Sequence, residues 1–172
     1  MERTYILRLG HRVGRDKRVS THIGLVARAF GADGVYYTGD KDESLLNSVK
    51  KVVEDWGGPF KVEYVKEWRK FIKEWPGETI HLTFYGLPFQ ENLNKLGKKD
   101  RLIIVGGQKV PWDVYEMVDW NLGVTSQPHS EIAAVAVLLD HMHGGKELKK
   151  EFQHAKNRII PQACGKKVEH ED

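Results

Sequence analysis

The sequence has few of the residues that build disulfide frameworks or membrane spans. Cys164 is the single cysteine among 172 residues, so the chain can form neither an internal disulfide nor a cysteine-rich metal site. No apolar run reaches the ~18–20 residues that cross a bilayer. The segment after Met1 leads directly into a predicted strand, without a secretory signal region. We therefore expect a protein of the reducing cytoplasm that has no membrane partner.

The common nucleotide, hydrolase and zinc motifs are also absent. Residues 10–16 read GHRVGRD, which is not the G-x-G-x-x-G of dinucleotide-binding folds, and no phosphate-binding loop ends in Gly-Lys-Ser or Gly-Lys-Thr. The G-x-S-x-G turn of α/β-hydrolases is missing. The histidines lack the i, i+4 pairing of a helical zinc site. We therefore expect no metal cofactor.

Strand-like and helix-like segments alternate along nearly the whole chain. Hydrophobic periodicity predicts strands at residues 5–9, 34–38, 61–65, 79–84, 102–105 and 120–124, with the third at a sheet edge. Helices are predicted at about 20–31, 44–56, 68–75, 111–118 and 128–143, followed by a polar helix at 146–160 and a charged tail. This order predicts one α/β domain over residues 1–172, with a mainly parallel sheet flanked by helices.

Basic residues are crowded just after the first predicted strand. The net charge of the chain is only +3, but a single acid, Asp16, accompanies this cluster. Because the predicted helix begins near Ser20, the cluster is predicted to lie in a loop, where it could bind phosphate oxygens. A plain solvated surface is the alternative. The cluster comprises Arg8, His11, Arg12, Arg15, Lys17 and Arg18.

Three predicted strands end in small, flexible or polar residues, in the segments 83–87, 106–111 and 124–131. Ligands of open parallel sheets bind beyond the carboxyl ends of the strands. Glycine lets the backbone approach a ligand closely because it has no Cβ. Gly106 and Gly107 alone could simply form a tight turn. Three such ends in one short domain predict a shared pocket.

Three segments resemble the motifs of the archaeal tRNA cytidine-56 2′-O-methyltransferases, a family of SPOUT methyltransferases. Residues 10–22 (GHRVGRDKRVSTH), leading into 27–34, are similar to the first motif, 102–111 (LIIVGGQKVP) to the second and 125–134 (TSQPHSEIAA) to the third. The likeness covers roughly residues 4–145 in the family order. It implies a SPOUT fold with a C-terminal trefoil knot, S-adenosylmethionine as cofactor, tRNA as substrate and a homodimer.

The resemblance also implies residue roles. The cofactor-binding residues would be Leu82, Thr83, Tyr85, Gly86, Gly106, Gly107, Gln108, Lys109, Val110, Val124, Thr125, Ser126, Gln127, Pro128, His129, Ser130 and Glu131. Contacts to RNA would come from Arg8, His11, Arg12 and Lys17, and from the first-motif arginines of a partner subunit.

The catalytic residues of related enzymes are harder to match to positions of this sequence. Related ribose methyltransferases place an Asn and a catalytic Arg inside the first helix, where this chain has Val19 and Leu25. We therefore expect Arg15 and Arg18 to hold the RNA phosphate and orient the 2′-oxygen. His22 is the alternative proton acceptor, because neutral imidazole is available near about pH 7, although it could equally cap or pack.

Two other functions remain open at this point. The third motif differs from the Ser-Leu-Asn of relatives, since this chain has Ser130, Glu131 and Ile132. A SPOUT enzyme that methylates another RNA site or a base nitrogen is therefore an alternative. The basic cluster alone would also suit a non-catalytic RNA-binding module.

Overall fold

The computed structural model describes residues 2–107 and 109–171, so the predicted cofactor residue Gln108 lies outside the described residues. The strands are β1 (Thr4–His11), β2 (Gly34–Gly39), β3 (Lys61–Tyr64), β4 (Glu78–Pro88), β5 (Arg101–Val105), β6 (Trp120–Gly123), β7 (Asn157–Ile160) and β8 (Lys167–His170). The helices are α1 (Val13–Ala29), α2 (Glu43–Trp56), α3 (Trp68–Lys73), α4 (Trp112–Met117) and α5 (Glu131–His143).

Six strands form one sheet in the order β3-β2-β1-β5-β4-β6, and every neighbouring pair is parallel. This confirms the predicted α/β fold and the edge position of β3. Because all six strands run in the same direction, their carboxyl ends lie at one edge of the sheet. Two of the segments that the sequence singled out follow β5 and β6 at this edge, and the third, 83–87, lies inside β4 where that strand is interrupted.

Helices cover both faces of the sheet, which explains why the central strands are continuously apolar. Ile6 and Ile103 pack into a core with α1, α2 and α5, whereas Leu7 and Ile104 pack into a second core with α3 and α4. All four side chains are fully buried. No helix in the described part of the chain has both the length and the apolar character that crossing a membrane requires.

An interruption in β4 shapes the carboxyl edge. Leu82 and Leu87 both pair opposite Leu122 of β6, so residues 83–86 loop out between them. A Cβ at Gly86 would overlap the backbone of Leu122, so glycine allows the strand to return this close to β6. The loop thereby becomes a wall at the edge of the sheet.

The prediction that the basic cluster lies in a loop is wrong, because α1 begins at Val13 rather than near Ser20. The Val13 amide donates to the Asp40 carboxylate at 3.0 Å. This cap comes from the β2–α2 connection, so the local sequence does not reveal it. Arg12 is the residue that precedes the helix, and Arg15, Lys17 and Arg18 lie on its first turns.

The predicted polar helix at 146–160 is also wrong. Lys146–Lys149 form a short 3₁₀ turn, and β7 and β8 form an antiparallel hairpin. Gly58 and Gln153 exchange two backbone hydrogen bonds of 2.9 and 3.0 Å. The Arg28 guanidinium lies 4.0 Å from the centre of the Phe152 ring. These contacts with the body of the protein hold the segment extended.

Candidate active site

A cavity of about 280 Å³ opens at the carboxyl ends of β5 and β6, beside the loop that interrupts β4. We call it the glycine pocket, because the backbone of Gly106 and Gly107 forms one of its walls. The looped-out residues of β4 form a second wall, and the segment between β6 and α5 forms a third. The pocket is lined by His81, Leu82, Thr83, Phe84, Tyr85, Val105, Gly106, Gly107, Val110, Tyr115, Val124, His129, Glu131 and Ala134.

All three predicted segments therefore contribute to one pocket, although not through every predicted residue. Gly86 positions the wall through its approach to β6, and Lys109 lines a neighbouring cleft instead. Ser130 caps α5, since its hydroxyl accepts the Ile132 amide at 3.2 Å. The remaining predicted residues of the third segment are absent from the described lining of the pocket: Thr125, Ser126, Gln127 and Pro128.

Sequence reasoning missed two side chains that face each other in the pocket, His81 and Tyr115. Their rings meet edge to face, with centroids 4.6 Å apart. His81 Nδ1 lies 2.9 Å from the Asn121 side-chain oxygen. Burial lowers the pKa of His81 below its usual value, and the hydrogen bond to Asn121 only partly opposes this shift. His81 is therefore neutral at physiological pH and does not repel a cationic ligand. A histidine within the apolar run of β4 was the available signal.

His129 offers a second polar contact. Its ring packs edge-on against Phe84, with centroids 5.2 Å apart, and its Nδ1 lies 3.1 Å from the Ser130 carbonyl. The other ring nitrogen, Nε2, is buried and has no hydrogen-bond partner among the described residues. Buried polar atoms are normally satisfied, so this atom is a candidate ligand contact.

A larger cleft of about 1120 Å³ lies beside the pocket, at the carboxyl ends of β1, β2 and β3. We call it the arginine cleft, after Arg8, Arg12 and Arg15 in its lining. The side chains of Arg12 and Arg15 are 56% and 53% exposed, so their guanidinium groups are accessible to a large anion. Guanidinium groups bind phosphate oxygens well because their donors are planar and permanently charged. The other charged residues of the lining are Asp16, Asp40, Lys66, Glu67, Lys109 and Glu131.

The structure separates the predicted catalytic residues. Arg15 lines the cleft, but Arg18 and His22 lie on the exposed surface of α1 and are absent from the described linings of both cavities. Lys17, a predicted RNA contact, donates to the Ser44 hydroxyl at 2.9 Å, beside the start of α2. Within one chain, α1 therefore brings Arg12 and Arg15 to the cleft, but not Arg18 or His22.

Two predicted RNA contacts, Arg8 and His11, line the arginine cleft but are buried by β1. The His11 side chain is fully buried, with Nδ1 2.9 Å from the Ser20 hydroxyl and Nε2 3.3 Å from the Asp42 carboxylate. Arg8 is only 2% exposed. A phosphate cannot reach either side chain directly, so both support the site from below.

Arg8 instead lies against the junction of the two cavities. Its Nη1 donates to the Leu9 carbonyl at 3.0 Å, and its Nη2 lies 3.5 Å from Glu131 Oε1. Burial lowers the pKa of Arg8, whereas the charge of Glu131 opposes that shift. The pocket and the cleft share Gly106, Gly107 and Glu131, so a ligand in one lies next to a ligand in the other.

Comparison with known proteins identifies close relatives. The family described as tRNA ribose 2′-O-methyltransferase, aTrm56, matches residues 56–169. The chain is 53% identical to the tRNA (cytidine(56)-2′-O)-methyltransferase of Methanopyrus kandleri, over 97% of this chain and 96% of that protein. It is 54% identical to the protein of the same name from Pyrococcus horikoshii, over 95% of this chain and 83% of that protein. These alignments include the basic start of α1.

Solved structures with low sequence identity share the fold. An RNA 2′-O ribose methyltransferase superposes with a TM-score of 0.62 at 16% identity, over 84% of this chain and 57% of that one. The SpoU methyltransferase AviRb from Streptomyces viridochromogenes, solved with AdoMet, gives 0.57 at 12% identity, over 82% and 56%. The chain thus spans little more than half of these solved chains, and the likeness concerns the SPOUT fold alone.

Proposed function

The chain belongs to the tRNA ribose 2′-O-methyltransferase family, aTrm56, and we propose that it transfers a methyl group from S-adenosylmethionine to the ribose 2′-hydroxyl of cytidine 56 in tRNA. The names of its relatives supply the substrate. The observation that carries the proposal is the junction of the two cavities at Gly106, Gly107 and Glu131. A small donor and a large polyanion could meet there.

We infer that the glycine pocket binds S-adenosylmethionine. Three features of its lining support this fit: the neutral His81, the unpartnered Nε2 of His129 and the bare backbone of Gly106 and Gly107. The negative charge of Glu131 complements a cationic ligand. When bound, S-adenosylmethionine supplies an electrophilic methyl group on a positively charged sulfur.

We propose that Arg12 and Arg15 hold the RNA backbone in the arginine cleft. Fixing the phosphate next to the target ribose would place the 2′-oxygen at the junction of the cavities. Such positioning can supply a large part of the rate enhancement, because it removes the entropy cost of bringing two reactants together. The buried Arg8 would support this arrangement without touching RNA.

A homodimer is part of the same proposal. Arg18 and His22 could act only at the cleft of a partner subunit, since they do not line the cavities of their own chain. Val13 and Tyr85 are 49% and 84% exposed near the carboxyl edge, and a second chain or RNA would cover them. The trefoil knot implied by the resemblance, and the cytoplasmic location expected for a tRNA-modifying enzyme, remain predictions.

Nucleoside analysis tests the reaction. The protein is incubated with labelled S-adenosylmethionine and a tRNA transcript, which is then digested to nucleosides and, separately, to position-specific fragments. The proposal expects 2′-O-methylcytidine at position 56, and no label in a matched transcript with deoxycytidine at that position. A methylated base, or label at another ribose, would replace the proposed target. Absence of both methylation and a thermal shift with the cofactor would instead indicate a binding module.

A further inference from the structure

The junction of the glycine pocket and the arginine cleft has one ionisable side chain. In the described part of the chain, the residues that line both cavities are Gly106, Gly107 and Glu131. Because the two glycines have no side chain, Glu131 is the ionisable residue at the junction. A general base must lie within hydrogen-bond reach of the hydroxyl whose proton it removes. In the proposed reaction that hydroxyl lies where the two cavities join. Position alone therefore selects this carboxylate.

The other candidate bases lie in less suitable places. His81, Tyr115 and His129 line only the glycine pocket, and His22 lines neither cavity of its own chain. The remaining acids of the cleft, Asp16, Asp40 and Glu67, are absent from the pocket lining. The arginines are poor bases, because a delocalised guanidinium gives up its proton only with difficulty.

The surroundings of Glu131 hold its carboxylate in place and leave it accessible to solvent. Glu131 is the first residue of α5, which the Ser130 hydroxyl caps. The Arg8 guanidinium contacts it from the buried side at 3.5 Å, and Arg8 is itself fixed to the Leu9 carbonyl. The Glu131 side chain nevertheless remains 27% exposed, so water can reach it. The carboxylate is thus oriented by a rigid partner and can exchange protons with solvent.

We propose that Glu131 is the general base of the methyl transfer, with Arg8 as the residue that positions it. This inference rests on the proposed function. As the 2′-oxygen forms a bond to the methyl carbon, the carbon–sulfur bond breaks and its electron pair stays on sulfur. The hydroxyl proton passes to a carboxylate oxygen of Glu131 and then to water. A weak base suffices, because the hydroxyl becomes strongly acidic as its oxygen gains positive charge in the new bond.

Glu131→Gln tests the role, because the substitution keeps the shape and removes the proton acceptor. Single-turnover methylation is measured with saturating cofactor and tRNA, and both affinities are measured separately by calorimetry and filter binding. We expect the rate to fall by roughly 10²- to 10⁴-fold, with both dissociation constants changing by less than about tenfold. Glu131→Asp keeps a carboxylate and should lose less rate than the Gln variant.

Glu43→Gln is the matched control, because Glu43 is likewise the first residue of a helix but lies outside both cavities. Its methylation rate should equal that of the parent protein. A lower rate would show that loss of any charge at a helix N-terminus slows the reaction. If Glu131→Gln methylates within about tenfold of the parent, the proposal is overturned. It is also overturned if only cofactor affinity falls and saturating cofactor restores the rate, since Glu131 would then be a cofactor anchor.

Chemical rescue separates a missing base from a damaged fold. Glu131→Ala leaves space for a small carboxylate, so added formate should raise its rate in a concentration-dependent way and leave Glu43→Gln unchanged. Lack of rescue in a variant that still binds both ligands would argue against proton transfer to this position. Failure of the parent protein to methylate cytidine 56 would refute the proposed function instead, so the two failures are distinguishable.

Discussion

The two cavities at the carboxyl edge share a wall but differ in size and charge. The glycine pocket measures about 280 Å³ and has Glu131 as its only acidic or basic residue apart from histidine, within the described lining. The arginine cleft measures about 1120 Å³, and nearly half of its lining residues are charged. A small pocket of this kind selects by shape and by a few polar contacts. The cleft lining has five basic and four acidic side chains, so a polyanion would be bound through particular cations such as Arg12 and Arg15, and those contacts respond to salt. The difference predicts that cofactor binding and RNA binding can be altered separately.

Among variants that alter only one cavity, Arg15→Ala should cause the largest loss of methylation, because it changes the arginine cleft alone. We expect methylation to fall by at least about a hundredfold, the loss that a small misplacement of a reacting group produces. Cofactor affinity should stay unchanged, because Arg15 does not line the glycine pocket. Steady-state methylation and calorimetry measure the two properties. Lys51→Ala removes the same charge from the exposed face of α2 and serves as the control. Equal loss in both variants would mean that net charge, rather than the cleft, governs the reaction.

Gly86→Ala should damage only the pocket. The added methyl group would overlap the backbone of Leu122, and the β4 loop that forms the pocket wall would have to move. Overpacking of this kind costs about 1–3 kcal/mol. If the cofactor requires the original loop geometry, the same cost lowers its affinity by about fivefold to 150-fold. Affinity for tRNA should persist.

Gly14→Ala is the matched control for that loss, because a Cβ at this helical position meets no atom within 4 Å. Its cofactor affinity should equal that of the parent, and the melting temperatures of both variants show whether the fold is intact. Unchanged cofactor binding in Gly86→Ala would indicate that the β4 loop is not a wall of the binding site.

Salt concentration should affect the two ligands differently, although this effect is smaller than that of the substitutions. If Arg12, Arg15 and Lys109 each neutralise one phosphate, the affinity for tRNA should fall by about 20-fold between about 50 and 200 mM salt. Cofactor affinity should change little over the same range, because its binding does not displace a comparable number of counterions. Titrations of each ligand at several salt concentrations provide the slopes. Parallel slopes for both ligands would contradict the division into a cleft that binds a polyanion and a pocket that does not.

The sequence predicted the three segments that meet in the glycine pocket because their signals are local. Glycines and polar residues that directly follow apolar strands mark carboxyl ends, and a parallel sheet necessarily gathers those ends at one edge. The three segments that meet in the glycine pocket were therefore predictable before the strand order was known. The order itself, with β5 between β1 and β4, required the long-range pairing that the structure provides.

The errors arose where distant residues decide the local conformation. Asp40 caps α1 from another connection, so the basic cluster became the start of a helix rather than a loop. Gly58 pairs with Gln153, so a segment with helical composition became extended. Arg8 was predicted to bind RNA as part of the basic cluster, yet it occupies a central strand whose faces are both covered and is 2% exposed.

Hydrogen exchange of backbone amides most directly tests whether the two cavities bind different ligands. S-adenosylmethionine alone should protect amides of the β4 loop (residues 83–86), which forms a wall of the glycine pocket and does not line the arginine cleft. Transfer RNA alone should protect amides in residues 10–16 and 38–40, which border the arginine cleft. Protection of the same amides by both ligands, or the reverse assignment, would contradict the account of two adjoining sites with separate ligands.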